Sequence, residues 1–445
     1  MATRLSRKVL ASYSGVSLPL AAMSMPIAVY LPPFYGEGLG LSLTTVGVIF
    51  TLARIWDVVT DPIMGTLIDR YETRWGRRKH WIAAAIPLLM ISVYMVFLPD
   101  PEQVTTLYLG FWLLLLYIGY TMCMIAHQSW GAELADNYDE RSRLYGWREI
   151  FVIGGMALVL ALPAAVELLG DGDQAAKVAS MGLFCIILFP LTALPTLLFV
   201  PDRKSTAQMA VDWKEAIRVI VGNRTLWRLL ATDLTTGFAS TASGALYILF
   251  ATYVFELPQH ASLALLFYFL AAFAAMPLWL RIAYRVGKDA AIKSALAYGV
   301  TLKVLLFFAV DPGNVVMFWA YTLLYGVAFG AAPTLLRSMM ADLTDVDELQ
   351  TGKKRAGLFF ALLTTTNKLG SALAVGVVLT LVEVGFGFSP GPGNSPEAIR
   401  GLLIVYCTAP VVALALAYLP LIGYPLNRER HAQVREELEG RAASA

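Results

Sequence analysis

The stretch Ala53-Arg54-Ile55-Trp56-Asp57-Val58-Val59-Thr60-Asp61-Pro62 puts one cation and two carboxylates into a run otherwise apolar from about Leu43 to Leu67. An ionised side chain near a bilayer midplane costs at least ~2.5–3.5 kcal/mol, so such residues are rare and usually serve a function. Arg54 and Asp57 are three apart, and Asp57 and Asp61 four apart, so on a helix all three share one face. Two carboxylates on one face, with a lone cation nearby, make a seat for a small monovalent cation or a proton. The plainer alternative is a buried ion pair that fixes helix packing. It accounts for Arg54 with Asp57 but leaves Asp61 without a partner in its own helix.

The elements that must hold these groups follow from composition. Apolar residues are 58% of the 445-residue chain and charged residues 15%, and the mean hydropathy is +0.63. Soluble domains are nearer ~45–50% and ~25%, so the chain reads as an all-α polytopic membrane protein. Apolar runs long enough for the ~30 Å hydrocarbon core lie at about 14–36, 43–69, 80–98, 105–132, 146–169, 178–200, 226–254, 260–283, 289–310, 314–340, 356–385 and 398–424. Arg4, Arg7 and Lys8 ahead of the first run resemble a signal peptide, but the run is long and proline-interrupted and reads as a retained transmembrane helix. Cys123, Cys185 and Cys407 all sit in apolar runs, and the four histidines have no paired spacing. No disulfide framework, cofactor or metal is therefore expected beyond a Na+ ion.

Basic residues set the orientation. Of the 34 lysines and arginines, Lys177 and Arg400 flank one set of connections, Arg54, Lys303 and Lys368 lie inside helices, and all the others flank the alternate connections and the termini. By the positive-inside rule both termini are cytoplasmic and the span count is even. The chain also repeats weakly. Ala132-Glu133-Leu134-Ala135-Asp136 is echoed by Ala341-Asp342-Leu343-Thr344-Asp345, and Gly76-Arg77 by Gly287-Lys288, at offsets of about half the chain. The predicted organisation is a six-helix half at 1–200, a cytoplasmic linker at 201–225, a second half at 226–426 and a cytoplasmic tail at 427–445. The linker's Trp213, Ile217, Ile220 and Val221 follow helical spacing, which predicts an amphipathic helix on the inner membrane surface.

The second helix and the connection after it, Arg54-Ile55-Trp56-Asp57-x-x-x-Asp61-Pro62-Ile63-Met64-Gly65-x-x-x-Asp69-Arg70 and then Arg74-Trp75-Gly76-Arg77-Arg78-Lys79, closely resemble the glycoside–pentoside–hexuronide:cation symporters, the family of the melibiose permeases. The resemblance continues through Ala341-Asp342-Leu343-x-Asp345-x-Asp347-Glu348, Thr351-Gly352-Lys353-Lys354-Arg355-Ala356-Gly357 and Asn367-Lys368-Leu369-Gly370-Ser371-Ala372. It implies the major facilitator fold, twelve transmembrane helices in two six-helix halves around a midplane cavity. It also implies that Asp57 and Asp61 coordinate the coupling ion, Na+ or H+, and that Lys368 approaches them. Trp130 matches a tryptophan that stacks on the sugar and Arg148 an arginine that hydrogen-bonds it. The chain departs from melibiose permeases in having no carboxylate between Val9 and Gly36, and in offering His127 and Gln128 in its fourth helix instead. His127 has two readings, a polar or proton-responsive cavity group or a packed, satisfied residue. Asp233, early in the seventh helix, is a further candidate for a polar contact to the cavity.

If that fold holds, Asp69, Arg70, Arg77 and Arg78 face Glu133, Asp136 and Arg141, and Asp342, Asp345 and Arg285 repeat the arrangement. Ion pairs there are expected to act as a cytoplasmic gate, alongside ordinary positive-inside charge. The function implied is cation-coupled symport of a sugar or glycoside-like small molecule by alternating access, in a bacterial inner membrane, by a monomer, with the lipid bilayer and the substrate as partners and no nucleic acid. Two other readings stay open. One keeps the fold and carries an amphipathic cargo such as a lysophospholipid. The other is a Mg²⁺-dependent prenyltransferase-type membrane enzyme, for which Asp57, Asp61 and Asp69 would hold diphosphate. Its metal site belongs at a water-facing rim rather than within the membrane, so no enzyme is expected.

Overall fold

The computed structural model describes residues 5–134, 138–169, 173–202, 221–351 and 356–426, and most of 429–438. Twelve of the described helices are long and apolar enough to cross a membrane: α1 (Arg7–Gly38), α2 (Leu43–Ile68), α3 (Lys79–Phe97), α4 (Thr106–Gly131), α5 (Arg143–Leu169), α6 (Gln174–Phe199), α7 (Arg224–Val254), α8 (Pro258–Val286), α9 (Lys288–Ala309), α10 (Val315–Thr351), α11 (Leu358–Gly385) and α12 (Pro396–Leu421). They fall on the predicted apolar runs with ends shifted by a few residues. The largest shift is in α10, which continues past Gly330 to Thr351, so Asp342 and Asp345 stand on helix instead of in a connection.

Local sequence explains where several spans begin. Ser6, Ser42, Asp173, Asn223, Asn314 and Ser395 each cap a helix, their side chains accepting from Val9, Thr45, Ala175, Leu226, Met317 and Ala398 backbone N–H groups. Each cap satisfies a donor that has no partner within the helix. Prolines loosen α1, which widens into π-helical turns at Pro26–Tyr30 and Phe34–Gly38. The connections α2–α3 and α8–α9 both turn on a glycine in the left-handed region, Gly76 at φ 111° and Gly287 at φ 97°.

The half-chain repeat reappears as equivalent ion pairs. Arg78 Nη2 meets Glu133 Oε1 at 2.5 Å, and Lys288 Nζ meets Asp342 Oδ2 at 2.6 Å. Each pair ties helices of one half together and neither joins the two halves. The expected facing of Arg78 and Glu133 is present, while Asp342 takes Lys288 and Arg285 is exposed. Arg77 approaches the same Glu133 carboxylate at 3.7 Å, Arg70 is exposed, and Asp345 Oδ2 lies 3.0 Å from His431 Nε2 of the tail. Asp136, the side chains of Asp69 and Arg141, and the linker's predicted amphipathic helix at 203–220 lie outside the described residues.

The halves pack through α2 with α11, α1 with α7, and α5 with α8, and no contact of similar extent joins α4 to α11 or α5 to α10 among the described residues. The α2–α11 crossing is close because both helices offer glycine there. A Cβ on Gly47 would sit 3.2 Å from Gly376 Cα, and one on Gly376 would press on Thr51. Small residues let helix backbones approach in this way. Beside them Thr51 Oγ1 donates to Ala372 O at 2.8 Å.

At the end away from the basic loops, the halves are stitched by carboxylates. Buried Glu167 at the end of α5 accepts from Ser262 N at 3.1 Å at the start of α8, and from Lys177 Nζ at 2.7 Å. Thr44 N donates to Glu383 Oε2, and Tyr253 OH to Glu37 Oε1, both at 2.6 Å. These links between halves lie at the end away from the basic loops.

The α2–α11 crossing has a direct test. Gly47→Leu must push the helices apart, at a cost of about 1–3 kcal/mol for overpacking. The expected result is a lower melting midpoint of the purified protein, read by fluorescence-detected size exclusion. Gly110→Leu, in open space, should leave the midpoint unchanged.

Candidate cation and substrate site

Asp57 and Asp61 sit at successive turns of α2, facing α4 and α11. Asp57 is fully buried, and Thr121 Oγ1 from α4 donates to its Oδ1 at 2.5 Å while lying 3.1 Å from Asp61 Oδ1. Lys368 reaches across from α11, its Nζ 2.5 Å from Asp61 Oδ2 and 3.0 Å from Asp57 Oδ2. Arg54 Nη1 approaches Asp57 Oδ2 at 3.5 Å. The carboxylates are therefore bridged by one ammonium, braced by one hydroxyl and flanked by one guanidinium, and the net charge of the cluster is zero. Such an arrangement can exchange one monovalent charge for another between the same four oxygens. The buried ion pair is present, and Asp61, without a partner in its own helix, finds one in Lys368 of the other half.

Thr121 was not singled out by its sequence context. A threonine in an apolar helix ordinarily bonds its own backbone a turn earlier, and only the facing α2 gives this one another task.

Three chambers with shared lining residues lie near the cluster, bordered by Arg54 in one and Lys368 in another. One chamber of about 90 Å³ is lined by Arg54, Tyr117, Tyr120, Phe50 and Ser371. A larger one of about 320 Å³ lies in the second half, lined by Asp233, Arg337, Asn367, Lys368 and again Ser371. A third, of about 110 Å³, is walled by Tyr247, Tyr268, Tyr321, Tyr325 and Tyr406 and shares Ser240, Tyr268 and Tyr325 with the second. The guanidinium of Arg54 lies 5.2 Å from the Tyr117 ring centroid, an aromatic-and-cation surface suited to ring hydroxyls or a carboxylate. Arg54 thus borders the cavity as well as the cation cluster. Asp233 meets the expectation of a polar cavity contact.

The structure separates the four predicted substrate groups. Arg148 is partly buried beside Tyr120 of the first chamber, and its Nε lacks a hydrogen-bond partner. Gln128 is exposed and lies two turns along α4 from Thr121, on the same face. Trp130 and His127 point elsewhere. The Trp130 ring is buried at the basic end and donates from Nε1 to Pro201 O at 3.0 Å, anchoring the exit from α6. His127 stacks on Tyr13 with centroids 4.2 Å apart and bonds Tyr13 O through Nε2 at 2.7 Å. Helical phase is the reason. Residues 127 and 130 lie on a face of α4 turned away from 121 and 128, where His127 meets Tyr13 of α1 and Trp130 meets the exit from α6.

A buried lysine also escaped the functional reading. Lys303 of α9 is fully buried, donates to Tyr406 O at 3.1 Å and lies 3.4 Å from the Tyr406 ring centroid and 4.7 Å from that of Tyr325.

Comparison with known proteins agrees with this architecture. The sequence profile of the family described as MFS/sugar transport protein matches residues 12–428. A putative glycoside/cation symporter of Escherichia coli, YagG, is 27% identical over 92% of this chain and 90% of its own length. The human sodium-dependent lysophosphatidylcholine symporter 1 is 23% identical over 88% of this chain and 78% of its own length. Among solved structures, the nucleoside transporter NupG superposes with a TM-score of 0.66 at 15% identity, over 94% of this chain and all of that one.

The two faces of α4 are separable by labelling, because the native cysteines are all buried. Gln128→Cys in purified protein should react with a hydrophilic maleimide within minutes, while His127→Cys and Trp130→Cys stay unmodified. Rapid labelling of all three would mean that the packed face of α4 is open.

Proposed function

The chain belongs to the MFS/sugar transport protein family, and from that premise we propose that it carries a sugar or glycoside-like small molecule by symport with Na+ or H+. It is an integral membrane protein and a secondary transporter. The observation that carries the coupled mechanism is the Lys368 bridge, the polar contact between halves nearest the basic end, made to the two carboxylates that would take the ion.

The coupling ion takes the place of the Lys368 ammonium between Asp57 and Asp61, with Thr121 bracing both carboxylates. Substrate sits in the adjoining chambers, against Arg54, Tyr117 and Tyr120 on one side and Asp233, Arg337 and Asn367 on the other, with Arg148 and Gln128 beside the path. Binding of both shifts the balance between cavities open to either side, as differential affinity for two states requires. The basic loops and both termini are cytoplasmic by the positive-inside rule, and the links between halves at the opposite end support reading the conformation as inward-facing. The E. coli relative suggests a bacterial inner membrane, and a single chain holds the whole cavity, which suits a monomer. The two halves, about 1–200 and 226–426, rock about this site, joined by the linker at 201–225.

A lysophospholipid-like cargo is a second reading. It is favoured by the tyrosine-walled third chamber, apolar in body and polar at its hydroxyls, and by the named cargo of the human relative.

The test is uptake into vesicles under an imposed Na+ or H+ gradient, with a library of glycosides and with lysophospholipids as competitors. Asp57→Cys and Asp61→Cys should each abolish gradient-driven accumulation while the protein remains in the membrane. Wild-type accumulation by both variants would overturn the ion site, and inhibition by lysophospholipids but by no glycoside would replace the sugar assignment.

A further inference from the structure

Lys368 stands between two sets of acceptors. On one side are Asp57 and Asp61 of the first half. On the other is Asp233 of α7, in the half to which Lys368 belongs. The two residues preceding Lys368 hold that carboxylate: Thr366 Oγ1 donates to Asp233 Oδ2 at 3.1 Å, and Asn367 Nδ2 to Oδ1 at 3.4 Å. Asp233 is 4% exposed, and among the described residues it has these hydrogen bonds but no ion-pair partner. It lines the 320 Å³ chamber together with Lys368 and Arg337. Two neutral donors hold this buried carboxylate and the charge of Arg337 attracts it without forming a salt bridge, so a cation that arrives in direct contact is stabilised there.

We propose that Asp233 is the second station of Lys368: entry of the coupling ion between Asp57 and Asp61 sends the Lys368 ammonium across the chamber to Asp233. The inference rests on the reading of Asp57 and Asp61 as the ion site. Charge requires some such move. Arg54, Lys368, Asp57 and Asp61 sum to zero, so an added cation leaves one positive charge in excess and two cations competing for the same oxygens. The carboxylate that lines the chamber together with Lys368 is Asp233. A lysine is built for the transfer, with a compact ammonium on a flexible four-carbon stem. Lys368 and Asp233 line the same chamber, and the two residues before Lys368 on α11 already touch Asp233.

The mechanical consequence follows from which half each acceptor belongs to. Paired with Asp57 and Asp61, Lys368 links α11 to α2. Paired with Asp233, it links α11 to α7 and the cross-half contact is gone. Ion binding and the release of this latch become one event. Asp233 is then a positioning residue for coupling, acting through Lys368.

The experiment needs no transport substrate. The probes are Na+, titrated into purified full-length protein by calorimetry, and protons, titrated with infrared detection of protonated carboxyl groups. Asp57→Asn and Asp61→Asn are the references for the site itself. Asp233→Asn should weaken binding of whichever ion the wild type takes by about tenfold, a coupling of ordinary size for interacting groups. In a Lys368→Gln background the same substitution should change nothing, and Asp233→Glu should restore wild-type affinity. Asp233→Ser, which keeps a hydroxyl for Asn367 to donate to, serves if Asp233→Asn does not fold. Unchanged affinity in Asp233→Asn overturns the proposal, as does an equal loss with and without Lys368. If Asp57→Asn and Asp61→Asn bind like wild type, or wild type binds neither probe, the ion site itself is wrong and the latch falls with it.

Discussion

One ammonium shared by two carboxylates at the centre of the bundle is the contact on which the arrangement of the halves depends. Neither aspartate is tolerable alone at that depth, and Lys368 is no cheaper. In this arrangement the charge left over in the first half, after Arg54 is counted, is neutralised by Lys368 of the second. Apolar helix faces would pack at many offsets, because lipid is as good a solvent for leucine as another helix is. The charge cluster fixes one register between α2 and α11, and the glycine pair Gly47 and Gly376 allows the approach that this register needs. Packing and coupling are thus a single design, since whatever displaces the ammonium also loosens the seam.

The two ends of the bundle are treated differently. Away from the basic loops, Glu167, Glu383 and Glu37 are satisfied by backbone N–H or hydroxyl donors of the opposite half, with Lys177 adding charge to the first. Carboxylates at helix N-termini gain from the helix dipole as well as from the hydrogen bonds. At the basic end, arginines and lysines pair with carboxylates of their own half, as Arg78 does with Glu133 and Lys288 with Asp342. Both positions of the repeat spend their charge in this way, which makes each half rigid. Halves joined at one rim in this way form a hinge, and nearer its centre the ties are Thr51 to Ala372 and the Lys368 bridge.

Most of the fold was legible in the sequence because its signals are local. Hydrocarbon thickness sets the span length, basic residues mark alternate loops, and caps such as Ser42 and Asn223 stand just ahead of the helices they start. The Arg54, Asp57 and Asp61 cluster was legible for the same reason: charge inside an apolar run is conspicuous, and three-and-four spacing puts it on one face. Helix phase against neighbours was not legible. An α4 apolar all round gives no amphipathic stripe to say which face meets α2 and which meets α1. Thr121 therefore went unmarked, while Trp130 and His127, chemically conspicuous, turned out to face the packed side. Glu167 was missed because its role needs the start of α8, almost a hundred residues away. Asp342 takes Lys288 over Arg285, and Lys288, just after Gly287, holds the place of Arg77 after Gly76; Arg77 approaches Glu133 in the first half.

The two buried lysines of the second half show why burial alone does not make a moving part. Lys303 has no carboxylate at hand among the described residues. Its ammonium is held by a carbonyl and by the faces of Tyr406 and Tyr325, a cation–π surround that gains strength where water is excluded. Its one acceptor oxygen belongs to the backbone of α12 and cannot be traded for another, so the side chain is a fixed strut between α9 and α12. Lys368 is held more tightly by charge yet is freer to leave. It stands on a cavity wall, its acceptors lie on two different helices, and an incoming cation competes for the same oxygens. A charge becomes a coupling element when its neutralisation can be supplied by something else. On that criterion the cluster at Asp57 and Asp61 is exchangeable and the tyrosine cage is not.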